Sequence, residues 1–193
     1  LISSANPISF NPIFSTFGFN DVEGLRLRAG GRTYFGPNDL WRLEGFVAYG
    51  FRDDKFKYGI SGKWLLDKKS RFTLFGGSRR DVEQIGASLT SSTDVLGRSL
   101  ASSAVFTAGS NDKLSNINLT NFGFSLEPFR NLEFRWDGSF RKISSASPTF
   151  SLDFNDTSSP TGISSEINQF ESRLCLAYYP KREMTGFGVE RKE

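Results

Sequence analysis

The sequence predicts an all-β fold, an antiparallel up-and-down β-barrel of the transmembrane kind with about seven or eight strands, standing alone or forming part of a larger barrel. Three observations predict it. Apolar and charged side chains alternate with a period of two through consecutive segments, which is the strand period. Most of these segments run to 10–13 residues, longer than the ~5–6 usual in globular strands and close to the ~9–11 that cross a bilayer at a tilt. The composition agrees: 20 Phe and 19 Gly against one Met, with only 37% apolar residues in 193. A barrel whose inner face is polar shows such values.

The elements follow in chain order. Residues 1–22, with Pro7 and Pro12, read as an irregular entry segment, and 23–193 as the barrel domain. In 24–35, Leu25, Leu27, Ala29 and Thr33 share one face and Arg26, Arg28 and Arg32 the other; Gly36 to Asp39 make a turn. In 40–52, Trp41, Leu43, Val47, Tyr49 and Phe51 oppose Arg42, Glu44 and Arg52, and Asp53-Asp54 connect tightly to the next segment. In 55–66, Phe56, Tyr58, Ile60, Trp64 and Leu66 oppose Lys57, Ser61 and Lys63, with a polar turn at 67–70. In 71–79, Phe72 and Leu74 oppose Arg71, Thr73 and Arg79.

The stretch 81–115 is Ser- and Thr-rich and reads as a long outer loop, with 95–106 compatible with a short helix. Alternation resumes at 116–127, a turn follows at 128–131, and 132–141 is the clearest segment, with Leu132, Phe134, Trp136 and Phe140 against Glu133, Arg135, Asp137 and Arg141. A second long outer loop is expected at 144–165, where Phe150, Leu152 and Phe154 suggest a hairpin extension pairing with 163–168. The last full strand is 167–179, with Phe170, Leu174, Leu176 and Tyr178 against Glu171, Arg173 and Cys175; 187–191 starts another. Both long loops fall on the same end of an up-and-down meander, the arrangement of outer-membrane barrels.

Two assignments follow from this two-faced pattern. Leu25, Leu27, Trp41, Leu43, Val47, Tyr58, Trp64, Phe72, Phe134, Trp136, Leu174 and Leu176 are expected to face lipid. Arg26, Arg28, Arg32, Arg42, Glu44, Lys57, Lys63, Arg71, Glu133, Arg135, Asp137, Arg141, Glu171 and Arg173 are expected to line the lumen. Such a face either forms a pore or plug-gripping surface, or simply satisfies itself through cross-strand ion pairs. Periodicity alone leaves a rival open: a soluble barrel or sandwich with the apolar face inside, binding a small apolar ligand. Strand length, and aromatic residues such as Trp41, Tyr49, Tyr58 and Trp64 toward strand ends, favour the membrane reading.

The run Asp21-Val-Glu-Gly-Leu-Arg-Leu, then Gly30-Gly31-Arg32, then Val47-Ala-Tyr-Gly-Phe-Arg-Asp-Asp-Lys-Phe-Lys-Tyr-Gly59, with Asp81-Val-Glu-Gln-Ile-Gly86 and the closing run Leu174 to Glu183, resembles a Bacteroidetes outer-membrane β-barrel family of unknown function. Its members carry a carboxypeptidase-regulatory-like domain ahead of the barrel. The resemblance covers roughly residues 6 to 191 and extends loosely to surface-antigen barrels of the BamA and TamA kind. It implies an outer-membrane location and a larger parent protein; together with the strand pattern, the expected role is that of an outer-membrane protein in transport, assembly or surface display. The start at Leu1, the missing regulatory-like domain and the end at Arg191-Lys192-Glu193 suggest an internal portion of such a protein. The family supplies no catalytic residues.

The sequence offers no enzyme site. It has no His, which excludes Ser-His-Asp, Cys-His and His-based zinc arrangements, and a single cysteine, Cys175, read as a buried inert thiol. Asp53-Asp54 and Asp153 with Asp156 are read as solvated carboxylates rather than a hydrolase pair, and no calcium-loop spacing surrounds Asp153, Asn155 and Asp156. A hydrolase hidden in the long loops is the remotest alternative. Gly30-Gly31 and Gly76-Gly77 sit inside strands with no following helix, so they are not phosphate loops. No cofactor or metal is expected. The net charge of +3 is small and its cations are dispersed, which argues against a nucleic-acid partner. The expected partners are the lipid bilayer and other outer-membrane or periplasmic proteins.

Overall fold

The computed structural model describes residues 8–10, 17–33, 39–84, 114–147, 151–156 and 160–180. The described residues contain strands and turns but no helix. The strands are β1 (Ile8–Phe10), β2 (Phe17–Asn20), β3 (Gly24–Thr33), β4 (Trp41–Gly50), β5 (Lys55–Asp67), β6 (Phe72–Gln84), β7 (Leu114–Phe129), β8 (Leu132–Ser145), β9 (Phe154–Asn155), β10 (Ile163–Ser164) and β11 (Glu166–Tyr178). One antiparallel sheet runs β1-β3-β4-β5-β6-β7-β8-β11, with β2 also on β3. Long neighbours are consecutive in the chain, as short connections require.

Three short turns define the strand ends through left-handed residues, namely Asp54 (φ 50°), Arg71 (φ 51°) and Asn131 (φ 65°). The tightest joins β7 to β8 through Arg130 and Asn131 alone. Asn tolerates this backbone because its short polar side chain relieves the strain that most L-residues meet there. Its carbonyl accepts the Tyr179 N–H at 2.8 Å, tying the end of β11 to this turn.

Several boundaries differ from those read in the sequence. The entry segment is not wholly irregular: β1 pairs with Gly31–Thr33 and β2 with Gly24–Leu27, both along one edge of β3. An edge position tolerates short strands beside prolines, because half of their backbone groups need no partner in the sheet. Of the stretch read as a loop at 81–115, residues 81–84 belong to β6 and 114–115 to β7, while 85–113 lie outside the described residues. The helix considered at 95–106 lies outside the described residues, as does the strand start at 187–191. Within 144–165, β9 pairs with β10 over two residues each, part of the pairing expected between Phe150, Leu152, Phe154 and 163–168; Phe150 lies outside the described residues.

The sheet does not close on itself among the described residues: β11 pairs only with β8, and β1 and β2 only with β3. The buried apolar residues are Phe46, Ala48, Leu65, Val82, Leu114, Ile117 and Leu119. Phe46, Ala48, Leu65, Ile117 and Leu119 share the inner face with the charged residues. The alternative face is crowded with exposed rings. The ends of β4, β6 and β8 lie at one end of the meander, here called the long-loop end; the ends of β3, β5 and β7 lie at the other.

Candidate functional site

The inner face carries an ion network at the long-loop end, built by local chemistry. Asn20 closes β2 and accepts the backbone N–H of Glu23 at 2.7 Å and of Val22 at 3.1 Å, an Asx-type turn. Its Nδ2 donates to Glu23 Oε2 at 2.7 Å, aiming that carboxylate inward. Glu23 then meets Arg26 Nη1 at 3.2 Å and Lys57 Nζ at 2.7 Å. Arg26 also reaches Asp81 Oδ1 at 2.7 Å, and Lys57 reaches Asp53 Oδ2 at 2.6 Å. Beside them Arg79 Nη2 pairs with Glu83 Oε1 at 2.5 Å.

These groups are nearly dry: Arg26 is 5% exposed and Arg79 2%. A charge so placed persists only when paired, because desolvation costs several kcal/mol per ion. Gly50 makes the space. A Cβ there would stand under 3 Å from Asp53 Oδ1, Lys57 Nζ and Glu23 Cβ. Two carboxylates of this network come from turns and two from the end of β6.

Farther along the inner face, cations rest on rings: Arg28 lies 3.7 Å above the Phe46 centroid and Arg135 4.5 Å above Phe75. Arg135 Nε also meets Asp137 Oδ1 at 3.2 Å. Arg71 sits in the turn before β6 and pairs with Glu127 at 3.8 Å. Of the remaining residues read as one charged face, Arg141 is buried, Arg42, Glu44 and Glu133 are half-buried, and Arg32 and Lys63 are exposed. At the β11 edge, Glu171 and Arg173 meet at 2.8 Å with both side chains open to solvent. Cys175 is exposed, which corrects its reading as a buried thiol: the last described strand has no neighbour on its far side to cover it.

The opposite face is apolar and open. Leu25, Trp41, Leu43, Val47, Tyr58, Trp64, Leu174 and Leu176 are exposed, Leu174 at 67%. Leu27, Phe72, Phe134 and Trp136 are half-buried, the last three among neighbouring rings. Phe124 stands 6.0 Å from Phe72 and 5.9 Å from both Phe134 and Trp136, centroid to centroid. Trp136 Nε1 donates to Ser172 Oγ at 3.1 Å. Between Trp41, Leu43, Trp64 and Leu74 a shallow hollow of about 590 Å³ opens over Gly62 and Gly76.

Sequence reasoning found the cations of the network but missed its anions. Glu23 opens the alternating region with no role assigned, Asp53 is read as a solvated turn residue, and Asp81 and Glu83 fall within the expected loop. The Asn20-x-x-Glu23 spacing is the one local signal that marks Glu23 as held rather than free. Among the described residues, no group of three or more metal-type ligands is assembled. No helix there is long and apolar enough to cross a membrane, which leaves crossing by strands untouched.

Residues 2–95 match the model described as "Family of unknown function (DUF5686) C-terminal domain". That span contains β1 to β6 and the network residues Glu23, Arg26, Asp53, Lys57 and Asp81. No curated protein and no solved structure matches the chain.

Proposed function

We propose that this chain is wall of an outer-membrane β-barrel, with the ring-bearing face against lipid and the charged face toward the lumen, and that its role is non-catalytic. One observation carries this reading: the apolar band runs obliquely across the sheet. On β4 the outward apolar residues extend from Trp41 to Phe51, just past the strand end, with their midpoint at position 46. On β8 they extend from Leu132 to Phe140, with their midpoint at 136, before Lys142 interrupts them. Phe46 shares a register row with Gly59, Arg79, Leu119 and Arg141. The band centre therefore shifts five residues, from the row of 141 to 136, across the four strand steps from β4 to β8.

A flat slab cut by tilted strands predicts that shift. With strands about 4.8 Å apart, a rise of about 3.4 Å per residue and a tilt of about 35–45°, the slab centre moves about 1.0–1.4 residues per strand. The observed shift is 1.25. On β11 the band runs from Phe170 to Tyr178, centred at Leu174, which pairs with Trp136, so the average to β11 is one residue per step. A soluble sheet covered by another protein layer has no reason to keep that slope.

The buried pairing of Arg26, Lys57 and Arg79 supports a self-neutralised inner wall rather than an anion-selective pore. The motifs at 21–59, inside the matched residues 2–95, support placing this wall in a Bacteroidetes outer-membrane protein. The proposed partners are the lipid bilayer and other outer-membrane or periplasmic proteins.

Arginine scanning across one register row tests the slab. Trp41, Trp64, Leu74, Phe124, Trp136 and Leu174 share a row, yet Leu174 lies at the band centre and Trp41 at its edge. Relative to alanine at the same site, Leu174→Arg costs about 2–4 kcal/mol of folding stability in lipid vesicles and Trp41→Arg about 0–1. Equal costs, or folding to a monomer without detergent or lipid, exclude the reading.

A further inference from the structure

The lipid-facing side changes character abruptly toward the long-loop end of β6, β7, β8 and β11. One register row there reads Arg80, Asn118, Lys142, Asn168. Arg80, Asn118 and Asn168 are exposed, and all four positions share the face of the rings rather than of the ion network. The row below holds Ser78 and Thr120, whose hydroxyls lie 3.2 Å apart, continuing into Phe140 and Phe170. Polar donors thus stand directly over aromatic rings on one surface.

We propose that this row binds the phosphate-bearing headgroup of a membrane lipid whose acyl chains lie along the rings beneath; the inference rests on the membrane reading above. Lys142 and Asn168 are each six residues from their band centres. At about 3.4 Å per residue and a tilt of about 40°, that is about 16 Å from the midplane, just beyond the ~12–13 Å half-height of such a band. On β6 the outward apolar residues Phe72 and Leu74 stop before Ser78, so Arg80 lies beyond the rings of its own strand.

The charges assign an anion as the occupant. Lys142 is balanced by Glu166 at 2.6 Å. Arg80 has no carboxylate partner among the described residues, and its sequence neighbour Asp81 points to the other face, into the Arg26 pair. Strands are about 4.8 Å apart, so the Arg80 and Lys142 backbones bracket Asn118 at about 10 Å. That spacing admits one phosphate between a guanidinium fork and amide donors, the geometry arginine favours.

The test uses the full chain, with Trp41→Phe and Trp64→Phe so that Trp136 beneath the row is the emitter, inserted into phosphatidylcholine vesicles that contain brominated phosphatidic acid, which quenches Trp136 from the lipid side. The quenching yields an association constant for phosphatidic acid relative to brominated phosphatidylcholine. With Arg80 intact, the chain prefers phosphatidic acid. Arg80→Gln weakens that preference about fivefold, the equivalent of about 1 kcal/mol for one cation at a membrane surface; Arg80→Lys keeps most of it. Arg173→Gln removes the same charge from the inner face and leaves it unchanged. A relative constant of one with Arg80 intact, or equal losses for Arg80→Gln and Arg173→Gln, overturns the proposal, as does displacement of the lipid by millimolar inorganic phosphate. A chain that does not insert into vesicles at all sinks the membrane reading instead.

Discussion

The β3–β6 half of the sheet and its β8–β11 half share the same alternation, yet they use charge in opposite ways. In the first half, Glu23, Arg26, Asp53, Lys57 and Asp81 form one connected group in which both cations have two carboxylate partners and exposure is small. At the β11 edge, Glu171 meets Arg173, two residues along the same strand, in solvent. The same residue types therefore play two roles. Where the wall curls over them they are fixed structural members; where it ends they are solvated. The difference comes from what stands on the far side of each strand rather than from any local sequence feature.

The strongest way to break this contrast is to remove the centre of the network. Glu23→Ala takes one partner from each of Arg26 and Lys57 and strips Asn20 of its side-chain acceptor. Loss of a partner from a buried ion pair costs about 3–5 kcal/mol. Because Asp81 and Asp53 still face the two cations, the expected loss is at the lower end, about 3 kcal/mol, read from urea unfolding of the chain refolded in detergent micelles. A loss under about 1 kcal/mol would mean that water already reaches the network and that the two halves are equivalent.

A smaller effect probes how tightly the first half is packed. On the inner face of β6, a Cβ on Gly77 would lie 2.5 Å from the Ile60 carbonyl oxygen and 2.9 Å from Ser61 Cβ, backbone and near-backbone atoms that cannot swing aside. On the outer face of β8, a Cβ on Gly138 would meet the Phe122 ring at 3.4 Å and Trp136 at 3.6 Å, ordinary contact. Gly77→Ala is therefore expected to destabilise by about 1–3 kcal/mol. Gly138→Ala should stay within about 0.5 kcal/mol. The same micelle unfolding assay compares them, and equal penalties would dissolve the distinction.

The legibility of the sequence divides along the same line. β3, β4, β5, β8 and β11 were readable because one side of each is built from rings and aliphatic chains, so a period of two shows directly. The ends of β6 and β7 were not. At the end of β6, Arg79, Asp81 and Glu83 face inward while Arg80 faces out, so hydropathy no longer alternates; at the start of β7 it alternates with the phase inverted, Ile117 and Leu119 inward and Asn116 and Asn118 outward. The network was half legible. Its cations lie on patterned strands, but the contact of Arg26 with Asp81 spans 55 residues and depends on β3 and β6 curving toward each other, which periodicity does not encode. Cys175 was misplaced for the reverse reason: its strand pattern was clear, but the absence of a described neighbour beyond β11 was not.

The smallest predicted effect sharpens the comparison from its exposed side. Glu171 and Arg173 are close, at 2.8 Å, and distance alone would rank them with the Lys57–Glu23 pair at 2.7 Å. Solvent decides otherwise. Water solvates both groups when they part, and holding two long side chains together costs rotamer freedom, so such exposed pairs contribute about 0.2–1 kcal/mol at most. Glu171→Gln is expected to change stability by less than about 0.5 kcal/mol, and raising the salt concentration should erase what remains, because exposed charges are screened over about 8–10 Å. The Glu23→Ala loss should persist at the same salt, since a buried pair is screened far less. A Glu171→Gln penalty that matches Glu23→Ala and resists salt would place the β11 charges in a dry environment. It would mean that another strand covers this edge in the folded protein and that both halves of the wall are built alike.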